Sequence, residues 1–99
     1  MSQKKTIYVR KTADKDLKKI LLYSIHHWGE NRAERYIREI AESFQKLAEN
    51  PSIGMNYSHI RPDIYAYRVV SHLIFYKPKK NGISIFRILH QSMDFKRHL

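Results

Sequence analysis

Near its C-terminus the chain reads FRILHQSMDFKRHL, with Arg87 and His90 three residues apart, followed by Asp94, Lys96, Arg97 and His98. Such groups can serve phosphodiester chemistry. Cleavage of RNA through its 2′-hydroxyl needs a base, an acid and cations that hold the phosphate. Arg68, Arg87 and His90 supply a cation pair and an acid. A base is harder to place, because Asp63 and Asp94 are the only carboxylates after Glu49. Asp63 follows Pro62 in a turn-like stretch, and Asp94 lies in the tail. Arg68 and Arg87 on one exposed sheet face would also make a clamp for phosphate or carboxylate. The plainer reading of the same arginines is solvated or ion-paired surface.

Other site chemistries find little support. The six histidines include the adjacent pair His26-His27, which a helix points in different directions, and His59, His72, His90 and His98 lack tight ligand spacing. Cysteine is absent, which excludes disulfides and thiolate metal sites and suits a reducing cytosol. There is no glycine-rich phosphate loop and no Gly-x-Ser-x-Gly, so neither a metal nor a cofactor is expected. The seven tyrosines and four phenylalanines fall mostly on the apolar stripes and strands described below, where they read as core rather than as base-stacking platforms.

Charge is the strongest compositional feature. Nineteen Lys and Arg face nine Asp and Glu, a net +10 over 99 residues. Residues 61–99 are the more basic part, with eight basic and two acidic residues. Such a surplus points to a polyanion or an acidic protein partner. No apolar run approaches the roughly 20 residues that span a bilayer, and the MSQKKTIYVR start lacks the apolar centre of a secretory signal. The expected localisation is cytoplasmic.

The elements that must position these groups follow from periodicity. Thr6 to Lys11 is β-branched and aromatic and reads as a strand. Thr12 then suits a helix cap, with Asp14 and Asp16 in the first turn. Ala13, Leu17, Ile20, Leu21, Ser24 and Trp28 trace one helical face, and Gly29 ends it. Asn31 and Glu34 have capping-box spacing for a second helix, whose stripe runs from Ala33 through Tyr36, Ile37, Ile40, Ala41, Phe44 and Leu47 to Ala48. Asn50-Pro51 ends that helix. The stripes place Leu21, Trp28, Ile37, Ile40 and Phe44 in the core. Residues 51–63 read as irregular loop.

Ile64 to Val70, His72 to Lys77 and Ile83 to His90 read as three strands, the last two joined through Asn81-Gly82. Strict alternation on the last strand sends Ile83, Ile85, Arg87 and Leu89 one way, and Ser84, Phe86, Ile88 and His90 the other. The expected fold is a single α+β domain over residues 1–99. It has two layers: an N-terminal strand, an antiparallel helical hairpin and a three-stranded meander.

The run SHLIFYKPKKNGISIFRILHQSMDFKRHL resembles the C-terminal half of ParE-type toxins, within the RelE/ParE superfamily of toxin–antitoxin systems. The residues that carry the likeness are Ser71, His72, Phe75, Tyr76, Arg87, Leu89, His90, Asp94, His98 and Leu99. DLKKILLYSIHHWG, LAENPSIG and IRPDIYAYR agree with it further upstream. The resemblance implies a RelE/ParE-like fold and a type II toxin that inhibits DNA gyrase by binding it. It also implies a ParD-like antitoxin that wraps the toxin in a hetero-oligomeric complex. Sequence-specific nucleic-acid binding is not expected. Under this reading the candidate gyrase contacts are Arg87, His90, Met93, Asp94, Phe95, Lys96 and Arg97. Under the alternative, a RelE-like ribosome-dependent mRNA endonuclease, the candidate catalytic residues are Arg68, Arg87 and His90.

Overall fold

Two amphipathic helices dominate the first half of the chain because neither contains glycine or proline and both repeat apolar residues every three to four positions. In the computed structural model, which describes residues 4–99, they span Lys11–Trp28 (α1) and Glu30–Glu49 (α2). A single residue separates them. Gly29 adopts φ +88°, donates its N–H to the Ile25 carbonyl and accepts from the Ala33 N–H. It thus closes one helix and opens the next, a conformation that suits glycine. The expected caps are not made. Arg10 and Gly29 occupy the N-cap positions, with no side-chain capping bond at either helix. Asn31 lies inside α2, and Thr12 inside α1 has other work.

The strands are Thr6–Val9 (β1), Met55–Asn56 (β2), Tyr65–Val69 (β3), His72–Lys79 (β4) and Gly82–His90 (β5). They form one sheet in the order β1-β5-β4-β3-β2, with β1 parallel to β5 and the other pairs antiparallel. The α+β architecture expected from the sequence is therefore present, with the first strand joined to the last. The two-residue strand β2 and the short 3-10 turn at Pro51–Ile53 were not expected, whereas the turn at Phe95–Arg97 agrees with the four-residue spacing of Phe95 and Leu99.

Ile20, Tyr36, Ile40, Phe44 and Leu47 of the helices pack on one sheet face against Ile74, Tyr76, Ile83, Ile85 and Ile88. Leu21 and Ile37 are half-buried, and Trp28 is a correction: it is 42% exposed at the end of α1. The opposite face is covered by the chain itself. Tyr57, Phe95 and Leu99 close over Ala66, Leu73, Phe75, Phe86 and Leu89. Among the described residues no helix is long and apolar enough to cross a membrane.

Two backbone details shape the sheet. The β4–β5 register slips at Phe75/Tyr76, where Phe75 faces Arg87 but Tyr76 faces Ile85, so Phe86 is an extra residue. This bulge breaks the expected alternation. Ile83, Ile85 and Ile88 all face the helices, while Phe86 and Leu89 face the other way. In the two-residue β3–β4 turn, Val70 holds φ +53° and is 62% exposed. A β-branched side chain in the left-handed region costs about 1–2 kcal/mol, whereas asparagine tolerates it. Val70→Asn is expected to stabilise the fold by about 0.5–1 kcal/mol, read as a higher urea midpoint with an unchanged slope. An unchanged or lower midpoint would show that the turn carries no strain.

Candidate functional site

The site is built outward from the free edge of β5. Strand β1 covers β5 only from Gly82 to Ile85. Beyond that point the edge groups of β5 are met from the start of α1. The Arg10 N–H donates to the Ile85 carbonyl (3.1 Å), Thr12 Oγ1 donates to the Phe86 carbonyl (3.0 Å), and Asp16 Oδ2 accepts the Ile88 N–H (3.0 Å). Helix α1 thus completes the strand edge with side chains, as an unpaired backbone edge requires.

Asp16 does more than this. Its carboxylate receives Arg87 Nε at 2.7 Å and Nη2 at 2.9 Å, a two-pronged ion pair, while Arg87 Nη1 donates to the His98 carbonyl at 3.0 Å. The Asp16 side chain is 7% exposed and that of Arg87 is 21% exposed. The hydrogen bonds it donates to Asp16 raise the Arg87 pKa above its ordinary value. One arginine therefore ties α1, β5 and the C-terminal tail together.

The tail follows from that tie. Phe95–Arg97 makes one 3-10 turn, with the Leu99 N–H donating to the Phe95 carbonyl at 3.1 Å. Phe95 packs edge-on to Phe75, with centroids 4.9 Å apart, and Leu99 joins the same cluster. Lys96 and Arg97, between these two anchors, are exposed, as are Met93 and Asp94.

Arg68 is exposed and donates from Nε to the Val70 carbonyl at 2.8 Å. It pairs with Leu73 across β3–β4, whereas Arg87 pairs with Phe75 from the other side of β4. The two arginines form no clamp, because Arg87 is paired with Asp16 and a strand separates the two; the plainer reading of solvated and ion-paired arginines holds. His90 is exposed at the end of β5, and its Nδ1 receives the Ser92 N–H at 3.1 Å. Asp16 and Thr12 were read from sequence only as helix-start residues. The usable signal was position: Asp16 falls within the buried stripe Ala13, Ile20, Ser24, and a carboxylate on an apolar face needs a partner.

Beside His90 lies a cleft of about 510 Å³, lined among others by Lys19, Tyr23, Trp28, His72 and His90. Leu22, Tyr23 and Trp28 are exposed at this end of α1. The Tyr36 hydroxyl donates to the Val69 carbonyl and lies 2.6 Å from His72 Nδ1. The His72 and His90 rings meet edge to face, with centroids 5.3 Å apart. Among the described residues no group of three or more histidines and carboxylates is placed to hold a metal ion.

Burial, then repulsion from His90, lowers the His72 pKa to about 4 from its ordinary 6.5. Between those values the unfolded chain binds more protons than the folded one. The stabilisation is complete above about pH 6.5 and is lost as pH falls toward 4. Discounted for partial exposure, the loss from pH 7 to pH 5 is about 1 kcal/mol. Urea unfolding at the two pH values should show it, and His72→Gln should flatten the difference. A pH dependence unchanged in that variant would assign it to other groups.

The sequence matches, over residues 7–95, the family described as the ParE toxin of the type II toxin–antitoxin system parDE. The chain belongs to the ParE toxin family. Toxin ParE1 of Mycobacterium tuberculosis is 40% identical over 73 residues, covering 73% of this chain and 74% of the relative. Toxin ParE1 of Caulobacter vibrioides is 34% identical over 87 residues, covering 88% and 90%. Toxin ParE of Escherichia coli is 27% identical over 88 residues, covering 88% and 85%. A solved structure of the chromosomal ParDE system from P. aeruginosa superposes with a TM-score of 0.75 at 18% identity, over 87% of this chain and 95% of that one, a likeness of fold. The chain is thus a ParE-family toxin of a type II toxin–antitoxin system, and the family implies an antitoxin partner.

Proposed function

We propose that this ParE-family toxin acts in the cytoplasm by binding DNA gyrase and stopping replication, and that a ParD-like antitoxin neutralises it by covering its surface. The observation that carries the reading is the tail. Phe95 and Leu99 are anchored on the sheet face, and Arg87 holds the His98 carbonyl, so Lys96 and Arg97 stand outward in a fixed place. This arrangement suits gripping a partner. Met93, Asp94 and Phe95 belong to the same tail, Arg87 supports it through the His98 carbonyl, and His90 stands apart on the cleft beside α1.

For the antitoxin, the exposed Tyr23 and Trp28 lining the His72–His90 cleft offer the apolar ground that an acidic segment with apolar anchors would cover. The net charge of +10 favours such a segment and would steer its approach.

The nuclease alternative draws less support from the geometry. Arg87 is occupied, Arg68 lies a strand away, and His90 has no carboxylate among its hydrogen-bond partners. The test sets the purified toxin in gyrase supercoiling and in translation assays side by side, with and without antitoxin. Inhibition of supercoiling alone, relieved by the antitoxin, is expected. Inhibition of translation alone would replace this reading with the endonuclease.

A further inference from the structure

On the sheet face away from the helices, three cations gather round one ring. The Arg10 guanidinium carbon lies 4.4 Å from the Phe86 centroid, the Arg61 carbon 5.0 Å and Lys77 Nζ 5.1 Å. They come from three parts of the chain: the residue before α1, the loop before β3, and β4. Phe86 is the extra residue of the β5 bulge and is only 7% exposed, so the bulge sets the ring among the three stems.

None of the three cations has a carboxylate partner among the described residues, where the ion pairs are Lys18–Asp14 and Arg87–Asp16. They lie within roughly a Debye length of one another, about 10 Å at 0.1 M salt. The ring quadrupole attracts each cation, yet their mutual repulsion remains. Arg61 and Lys77 are also half-buried, which limits how far water relieves them. Beside the ring a recess of about 160 Å³ opens, lined by Arg10, Thr12, Arg61, Phe86, Arg87, His98 and Leu99, with Lys77 reaching the ring from outside that lining. That is well below the roughly 300–1,000 Å³ of sites for drug-sized ligands, and it suits a small anionic group.

We propose that Arg10, Arg61 and Lys77, gathered round Phe86, form a phosphate-binding site, and that the phosphate belongs to a nucleic-acid backbone. A backbone contact carries no sequence information. It gives the net charge of +10 a fixed point of purchase. The proposal does not rest on which enzyme the toxin inhibits.

The test compares the wild type, Arg61→Gln/Lys77→Gln, and a charge-matched control, Lys15→Gln/Arg38→Gln, whose residues are exposed on the helices. Binding to a labelled 20-base-pair duplex is followed by anisotropy across a salt series, after circular dichroism of each protein. The site variant should bind about tenfold more weakly, with its log K against log salt slope shallower by about 1. The control should change less than about threefold. In a second arm, inorganic phosphate or duplex is titrated into the wild type alone and amide shifts are mapped, so a folding defect in a variant cannot decide the result. Duplex-induced shifts at Arg10, Thr12, Arg61 and Phe86 support the backbone reading. Millimolar phosphate moving the same amides without duplex binding supports the site and assigns it to a free anion. Equal losses in site variant and control, or shifts that fall elsewhere, overturn the proposal.

Discussion

Asp16→Ala is expected to cost about 3–5 kcal/mol of folding stability, the range for removing one partner of a buried ion pair. The loss has three sources in this molecule. Arg87, with its side chain 21% exposed, is left without its counter-ion. The Ile88 N–H, on a buried stretch of β5, loses its acceptor. The tail then loses the rigid arginine that holds the His98 carbonyl. Asp16→Asn should cost less, because one amide oxygen can still accept the Ile88 N–H. Adding Arg87→Met to Asp16→Ala should recover part of the loss, since an apolar replacement removes the stranded charge. Urea unfolding of the three variants measures all of this. A cost below about 1 kcal/mol for Asp16→Ala would mean that the ion pair is not a structural tie.

Lys96→Glu/Arg97→Glu should abolish growth inhibition while the fold stays intact. Both side chains are exposed, so stability should change within about 0.5 kcal/mol. A proposed gyrase contact would feel two reversed charges as like-charge contacts worth several kcal/mol, and each 1.4 kcal/mol is a tenfold change in affinity. His90→Gln keeps a polar group at the end of β5 and should matter far less. An endonuclease predicts the opposite order, since losing a general acid costs roughly 10²–10⁴-fold in rate. Toxicity at matched expression, with circular dichroism of both variants, decides between them. A harmless double reversal beside an inactive, folded His90→Gln would end the gripping mechanism.

The helices and their buried faces were legible because a 3.6-residue period leaves a strong trace. Ile40 and Phe44 stand where the stripe put them. Trp28 did not follow, since it is the last residue of α1 and the stripe runs past the edge of the sheet there. The three C-terminal strands were legible from their β-branched and aromatic runs. The bulge at Phe86 was not, because it depends on register against β4, which leaves no mark on β5 alone. The outward placement of Lys96 and Arg97 between Phe95 and Leu99 was readable from their spacing. The cluster round Phe86 was not, since its cations come together only when distant segments meet.

Strand β5 is the last strand to leave the ribosome, yet it stands between β1 and β4. During synthesis β1 has no partner until Gly82–Ile85 emerges, and Thr12 and Asp16 have no edge to complete until Phe86 and Ile88 follow. The helical hairpin can form early from local contacts, but the sheet must wait for its longest loop to close, the slow step in such topologies. The sheet is therefore joined only once residues up to Ile88 have been made. A nascent or prematurely ended chain that stops before β5 has neither the joined sheet nor the tail on which the proposed grip depends.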